Sequence, residues 1–313
     1  MSTQTLRRQA LRPKGIRSKP VRMDRVFDKP DEVLQLVRDL APYDTVGTYY
    51  NGGESDPQGL DPPWFLVETD SDLLVQNPHW VVAAREAFDA KIVRPIRCVV
   101  NLNGPAPASP PHLDLPVFRG FSAPHMPIWL LMNMSRSGLF LDWLVPLASG
   151  IGWFWHGEGG EFEYWADGPQ GAPVSVQPPM WNIGVMSDNE AMWHRVGAIG
   201  PTERQSELTA GVPGTAKMHP SEKGWEIRQA DRTLASYTSE EVRISFVWKG
   251  YVFKDEAHLA SFEDSSYDLD LDQVVDIFSD DLAERGCCSR RPADPLNDEE
   301  WRGVLEETYV PPL

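Results

Sequence analysis

Two imidazoles and one carboxylate stand out by type and order: His112-Leu113-Asp114 and, far downstream, His194-Arg195-Val196. Together they supply the donor set of a facial iron(II) triad, which occupies one side of the ion and leaves three adjacent positions open. Open positions let one metal hold an oxidisable co-substrate and molecular oxygen side by side, so the implied chemistry is oxygenation. The His-x-Asp spacing suits this role if the pair begins a strand, because side chains alternate with period two and residues 112 and 114 then share a face. Zinc accepts the same three ligands, so ligand type alone leaves the metal open.

The elements that must position these residues read as mainly β. Residues 96–102 form a run of β-formers, and the proline-rich stretch 104–111 cannot continue a ladder, so His112 emerges from an irregular loop. Residues 152–156 and 161–165 flank Gly157-Glu158-Gly159-Gly160 and predict a hairpin about a glycine turn. Residues 174–177 and 181–186 predict further short strands, the second leading through Ser187-Asp188-Asn189 to Trp193-His194. Short strands separated by Pro and Gly turns point to a jelly roll, a double-stranded β-helix of the cupin-like kind, between about residues 95 and 253.

Helices flank this core. Pro30 opens a pattern with Val33, Leu36, Val37 and Leu40 on one stripe and Asp28 as the expected cap. Asn77-Pro78 signals a second helix with Trp80, Ala84, Ala87 and Phe88 on one face. The apolar stretch 128–147 is read as helix. Beyond residue 254 the chain is acidic, with helical patterns at 271–282 and 297–307, the latter capped by Asn297. The expected organisation is a basic arm (1–25), a jelly-roll domain with N-terminal helices (26–253) and an acidic helical extension packed on it (254–313).

Composition narrows the partners. The 313 residues carry a net charge of -17, which repels nucleic acid unless a local basic groove intervenes. The first 25 residues run the other way, with eight Lys or Arg against Asp24 alone, and read as a solvated terminus. No apolar segment follows them as in a secretory signal, and no run reaches spanning length, so no membrane partner and a cytoplasmic location are expected. Cys98 reads as a buried reduced thiol, and Cys287-Cys288 lack metal-ligand spacing.

From residue 112 to 245 the chain resembles the 2-oxoglutarate and iron(II)-dependent oxygenases, whose motif is His-x-Asp, a distant His, then Arg-x-Ser on the last core strand. The resemblance implies Fe(II) held by His112, Asp114 and His194, with 2-oxoglutarate and oxygen as co-substrates and succinate and carbon dioxide as products. The far carboxylate of 2-oxoglutarate needs a cation, and a guanidinium fork meets it with two parallel hydrogen bonds. Arg243-Ile244-Ser245 lies in a β-forming run, whereas Arg204-Gln205-Ser206 is nearer the usual family spacing from His194. Arg243 with Ser245 is favoured, because a buried anchor needs a rigid strand beneath it. The residues between His194 and Arg243 then form an insertion, whose segments 225–228 and 233–237 flank Asp231 like a hairpin, either a lid over the site or a surface decoration.

Asn101 is read as a co-substrate contact or as a structural Asn closing a turn. Arg119 is read as a contact for an anionic substrate or as a surface ion pair. His125, His156 and His219 are ordinary polar residues, and Trp153, Trp155, Trp165, Trp181 and Trp193 are core or pocket walls. Related halogenases lack the carboxylate, so Asp114 favours hydroxylation, desaturation or ring formation, with a small organic molecule as the preferred substrate. Two rival readings use the same residues: a cupin-like metal hydrolase or isomerase without 2-oxoglutarate, and a non-catalytic jelly-roll binding protein. Oligomeric state is not legible.

Overall fold

The computed structural model describes residues 18–55, 59–121, 126–205, 211–287 and 290–310. Residues 1–17 of the basic arm, His125, Ser206 and Cys288 lie outside them. The core strands are β1 (Val21–Met23), β2 (Tyr43–Thr45), β3 (Leu60–Asp61), β4 (Trp64–Thr69), β5 (Ile92–Asn103), β6 (Leu147–Trp155), β7 (Phe162–Tyr164), β8 (Val174–Val176), β9 (Met180–Ser187) and β10 (His194–Val196). They are followed by β11 (Val212–Pro213), β12 (Lys217–Pro220), β13 (Gly224–Gln229), β14 (Arg232–Thr238) and β15 (Arg243–Phe253).

A ten-stranded sheet runs β1-β9-β6-β15-β5-β4-β2-β12-β13-β14, and a smaller one runs β10-β7-β8. From β6 the chain alternates between them: β6 in the large sheet, β7 and β8 in the small, β9 in the large, β10 in the small, and then, after β11 pairs apart with β3, β12 to β15 in the large. That alternation is a double-stranded β-helix with flanking helices, as expected. The predicted hairpin differs in one respect. Its two strands, β6 and β7, belong to different sheets, and Gly159 and Gly160, at φ of +65° and +70°, carry the chain around the corner between them.

Strand alternation divides the large sheet into two unlike faces. On β15, Ile244, Phe246 and Trp248 join the main apolar cluster, together with Val33 and Val37 of the Pro30–Asp39 helix and Trp80, Ala84 and Phe88 of the Pro78–Phe88 helix. Trp80 stacks on Trp248 with ring centroids 6.2 Å apart. It fits because β6 carries glycines beneath it: a Cβ at Gly150 would lie 2.6 Å from the Trp80 ring. Arg243, Ser245, Val247 and Lys249 alternate onto the opposite face.

Elsewhere the structure refines the expectations. The Pro30–Asp39 helix has Lys29, not Asp28, at its N-cap position and no side chain capping it, and Asp28 instead meets His79 at 3.1 Å. The apolar 128–147 stretch is only half helical: Ile128–Ser137 ends at Gly138 with φ of +68°, and β6 begins at Leu147. Asp298 rather than Asn297 caps the Glu299–Thr308 helix. The 225–237 segment does form a hairpin, but it is no lid. It extends the large sheet through β12 and β2, and Trp225, Ile227 and Tyr237 are buried in the main cluster. The Leu271–Glu284 and Glu299–Thr308 helices share a separate apolar cluster with Phe118, Leu130, Met134 and Phe140. Cys98 is buried and reduced. Among the described residues no helix is long and apolar enough to cross a membrane.

Gly150→Val is expected to destabilise the fold by about 1–3 kcal/mol, since Trp80 and Met186 both occupy the space a side chain needs. Urea unfolding measures this, and an unchanged midpoint would show that the helix layer yields freely.

Candidate functional site

The three sequence-predicted ligands converge. His112 and His194 form an antiparallel pair exchanging both backbone hydrogen bonds, His112 N to His194 O at 2.9 Å and His194 N to His112 O at 3.0 Å. Residues paired this way project side chains from the same face, and their ring centroids are 4.5 Å apart. Asp114 follows two residues after His112, its backbone N–H bonded to Asn189 O at 2.9 Å. One donor atom from each of His112, Asp114 and His194 lies within 4.8 Å of the others.

Both imidazoles are oriented from behind. His112 Nδ1 donates to Pro110 O and His194 Nδ1 to Met192 O, each at 3.0 Å, which leaves each Nε2 lone pair free to ligate. Burial, reinforced by His194, pushes the pKa of His112 below its ordinary value. That favours the neutral ring, the form that binds metal.

Sequence reasoning missed what stands behind Asp114. Lys249, on the same face of β15 as Arg243 and Ser245, places its Nζ 2.7 Å from Asp114 Oδ2, 2.6 Å from Ser149 Oγ and 2.5 Å from Glu190 Oε1. Burial by itself would lower the Lys249 ammonium, but the Asp114 and Glu190 carboxylates overcome it and hold its pKa above the ordinary value. Burial likewise opposes ionisation of Asp114, yet the Lys249 ammonium, which also donates to its Oδ2, keeps its pKa well below the carboxylate range. Asp188 differs: burial and the nearby Glu190 push its carboxyl up to about 8. A lysine in phase with Arg243 and Ser245 within an apolar β run was the available signal.

Arg243 is 2% exposed, and its Nε donates to Gly160 O at 2.9 Å while its Nη2 is buried without a partner. Burial pushes the guanidinium down to about 9, opposed by Glu161, so it still carries its charge at neutral pH. Ser245 is paired in register with Asn101 on β5 and Trp153 on β6. The guanidinium lies 5.9 Å from the Trp153 ring centre, and the Trp153 Nε1 is a second buried donor without a partner.

Other predicted residues are engaged elsewhere. Asn101 is buried, its Oδ1 accepting from Trp64 Nε1 at 2.9 Å. Arg204, on the short Thr202–Gln205 helix, pairs with Glu241 at 2.8 Å and lies over the Tyr237 ring. Arg119 pairs with Asp268 at 3.2 Å. His156 stacks on Trp181, and neither it nor His219 joins the cluster.

No protein-family model and no curated protein matches the chain. Solved structures do. A prolyl-4-hydroxylase from Pseudomonas putida is similar over 75% of this chain and 94% of its own, at 11% identity and a TM-score of 0.38. The non-heme alpha-ketoglutarate-dependent epimerase SnoN of nogalamycin biosynthesis matches over 78% of this chain and 84% of its own, at 14% identity and a TM-score of 0.40. HygX from Streptomyces hygroscopicus, solved with nickel, 2-oxoglutarate and hygromycin B, matches over 75% of this chain and 83% of its own, at 9% identity and a TM-score of 0.39.

The raised Asp188 pKa has a measurable consequence. When a carboxyl's folded pKa exceeds its unfolded value, here about 8 against 3.8, stability falls across that window because only the unfolded chain ionises there. Asp188→Asn keeps an acceptor and removes the proton, so its stability relative to wild type is expected to rise from pH 4 towards about 8 and then level off. Urea midpoints through that range check it. A difference independent of pH would mean that Asp188 ionises as readily folded as unfolded.

Proposed function

We propose that this protein is a non-haem iron(II) and 2-oxoglutarate-dependent oxygenase that oxidises a small organic molecule, consuming oxygen and releasing succinate and carbon dioxide. The observation that carries the proposal is a two-histidine, one-carboxylate cluster in the same β-helix as a fully buried arginine with an unpartnered Nη2. A buried donor left unpaired costs about 1–3 kcal/mol, so such a group is kept where an acceptor is meant to arrive.

His112 and His194 would hold iron through Nε2 and Asp114 through Oδ1, the oxygen 3.3 Å from His194 Nε2. The bound metal supplies the redox chemistry on oxygen and 2-oxoglutarate. The chain supplies orientation and exclusion of water. Arg243 would meet the far carboxylate of 2-oxoglutarate with Nη2, its fork aimed by the Gly160 carbonyl, and Ser245 would add its hydroxyl. Arg204 fits less well, since its Nε is already committed to Glu241. Asn101, bonded to Trp64, supports the wall beneath Ser245 rather than reaching co-substrate. Trp153 and Phe162, each about 1% exposed, keep this end of the site dry. The carboxylate at Asp114 favours hydroxylation, desaturation or ring formation.

Anaerobically reconstituted protein is expected to bind one iron and to release succinate only when oxygen and 2-oxoglutarate are both supplied. Asp114→Ala should lose most iron and turnover. Arg243→Met should keep its iron but weaken 2-oxoglutarate binding by about 10- to 100-fold, the loss of a charged hydrogen bond. Turnover without oxygen would instead indicate a hydrolase or isomerase, and full activity of Asp114→Ala would remove that residue from the ligand set.

A further inference from the structure

The geometry points to Lys249 as the positioning residue that commits Asp114 to binding a metal through one oxygen, so that the carboxylate cannot close onto a fourth coordination position. This inference rests on the metal site proposed above and adds to it a second layer of control.

The two oxygens of Asp114 have different surroundings. Oδ1 lies 3.3 Å from His194 Nε2, on the side where the imidazoles converge, whereas Oδ2 lies 2.7 Å from the Lys249 ammonium. An ammonium has three N–H donors, and all three are used here, on Asp114, Ser149 and Glu190. Lys249 therefore has no donor left for substrate, and its side chain is only 9% exposed. What it does is fix a carboxylate, through partners on separate elements: Ser149 on β6, Glu190 in the loop before β10 and Asp114 after the proline-rich loop.

Chelation of a cation by both Asp114 oxygens would require breaking a short, charge-assisted bond in a buried setting, where such bonds are strongest. Glu190, 3% exposed at its side chain, supplies the second carboxylate that the buried ammonium needs. One-oxygen ligation keeps three positions open, the number needed to seat a two-pronged co-substrate beside oxygen. Partners of this kind around a ligand typically change metal affinity about 10- to 100-fold when removed.

Cobalt(II) is the probe. Wild type is expected to bind one cobalt, lost in His112→Ala, and a crystal structure of the cobalt-loaded wild type is expected to show Asp114 coordinating through Oδ1 alone with Oδ2 on Lys249. Removing the lysine alone leaves the Glu190 carboxyl buried without its partner, so the test variant combines Lys249→Met with Glu190→Gln, its fold checked by circular dichroism. It should bind cobalt about 10- to 100-fold more weakly, with a changed visible absorption spectrum reporting a changed coordination shell. Wild-type affinity and spectrum in the folded double variant would overturn the inference, as would two-oxygen ligation by Asp114 in the wild-type crystal, which decides the matter even if the variant does not fold. Cobalt binding untouched by His112→Ala would instead bring down the metal site itself, and Lys249's role with it.

Discussion

Two backbone hydrogen bonds between His112 and His194 are the constraint on which the site depends. They join residues far apart in sequence into one hydrogen-bonded antiparallel pair, and that geometry sets the two imidazoles side by side without any side-chain contact having to arrange it. Asp114 then inherits its position from His112, through the period-two alternation of an extended chain and its own bond to Asn189 O. The proline-rich loop before His112 matters because it frees this short segment from the large sheet and lets it pair with β10. Loss of the pairing would separate His112 and Asp114 from His194 while leaving most of the core intact.

A second consequence is the concentration of buried charge on one face. Arg243, Lys249, Glu190 and Asp188 are buried, and Asp114 partly so, where an ordinary sandwich would be apolar. Each buried ion costs several kcal/mol unless paired and hydrogen-bonded. Lys249 with Asp114 and Glu190 meets that condition internally, Asp188 meets it by holding its proton, and Arg243 meets it only in part, with Nη2 left over. The contrast is in completeness: the Lys249 network uses every donor it has, and the Arg243 guanidinium keeps one in reserve.

Much of this was legible in sequence. His112, Asp114, His194, Arg243 and Ser245 can be singled out as candidates because each sits at a junction of loop and β run, and alternation assigns their faces without knowledge of the fold. Glu190 and Ser149 were not found, because their meaning comes only from Lys249, and Lys249 makes sense only once β15 is known to run between β5 and β6. The hairpin of β13 and β14 was legible as a local object. Its place at the end of the large sheet was not, because that is set by pairing of β12 with β2, residues separated by most of the chain. Similarly, the alternation of β6 and β7 between two sheets lies in the corner at Gly159-Gly160, which reads locally like any hairpin turn.

The charged face also defends the fold that holds it. A slip of β15 by one residue would exchange its faces, bringing Arg243 and Lys249 among Phe246's neighbours in the helix-covered core and turning Trp248 towards Asp114 and the two histidines. Each displaced charge would then lie buried without its partner, a cost of several kcal/mol apiece against which no apolar gain is available, since the tryptophan loses its stack on Trp80. Gly250 reinforces the same register: the Trp248 ring folds back over it, at 2.3 Å from where a Cβ would stand, and the pairing with β5 shifts between Lys249 and Gly250. The residues that would handle metal and co-substrate thus also specify the strand alignment that brings them together.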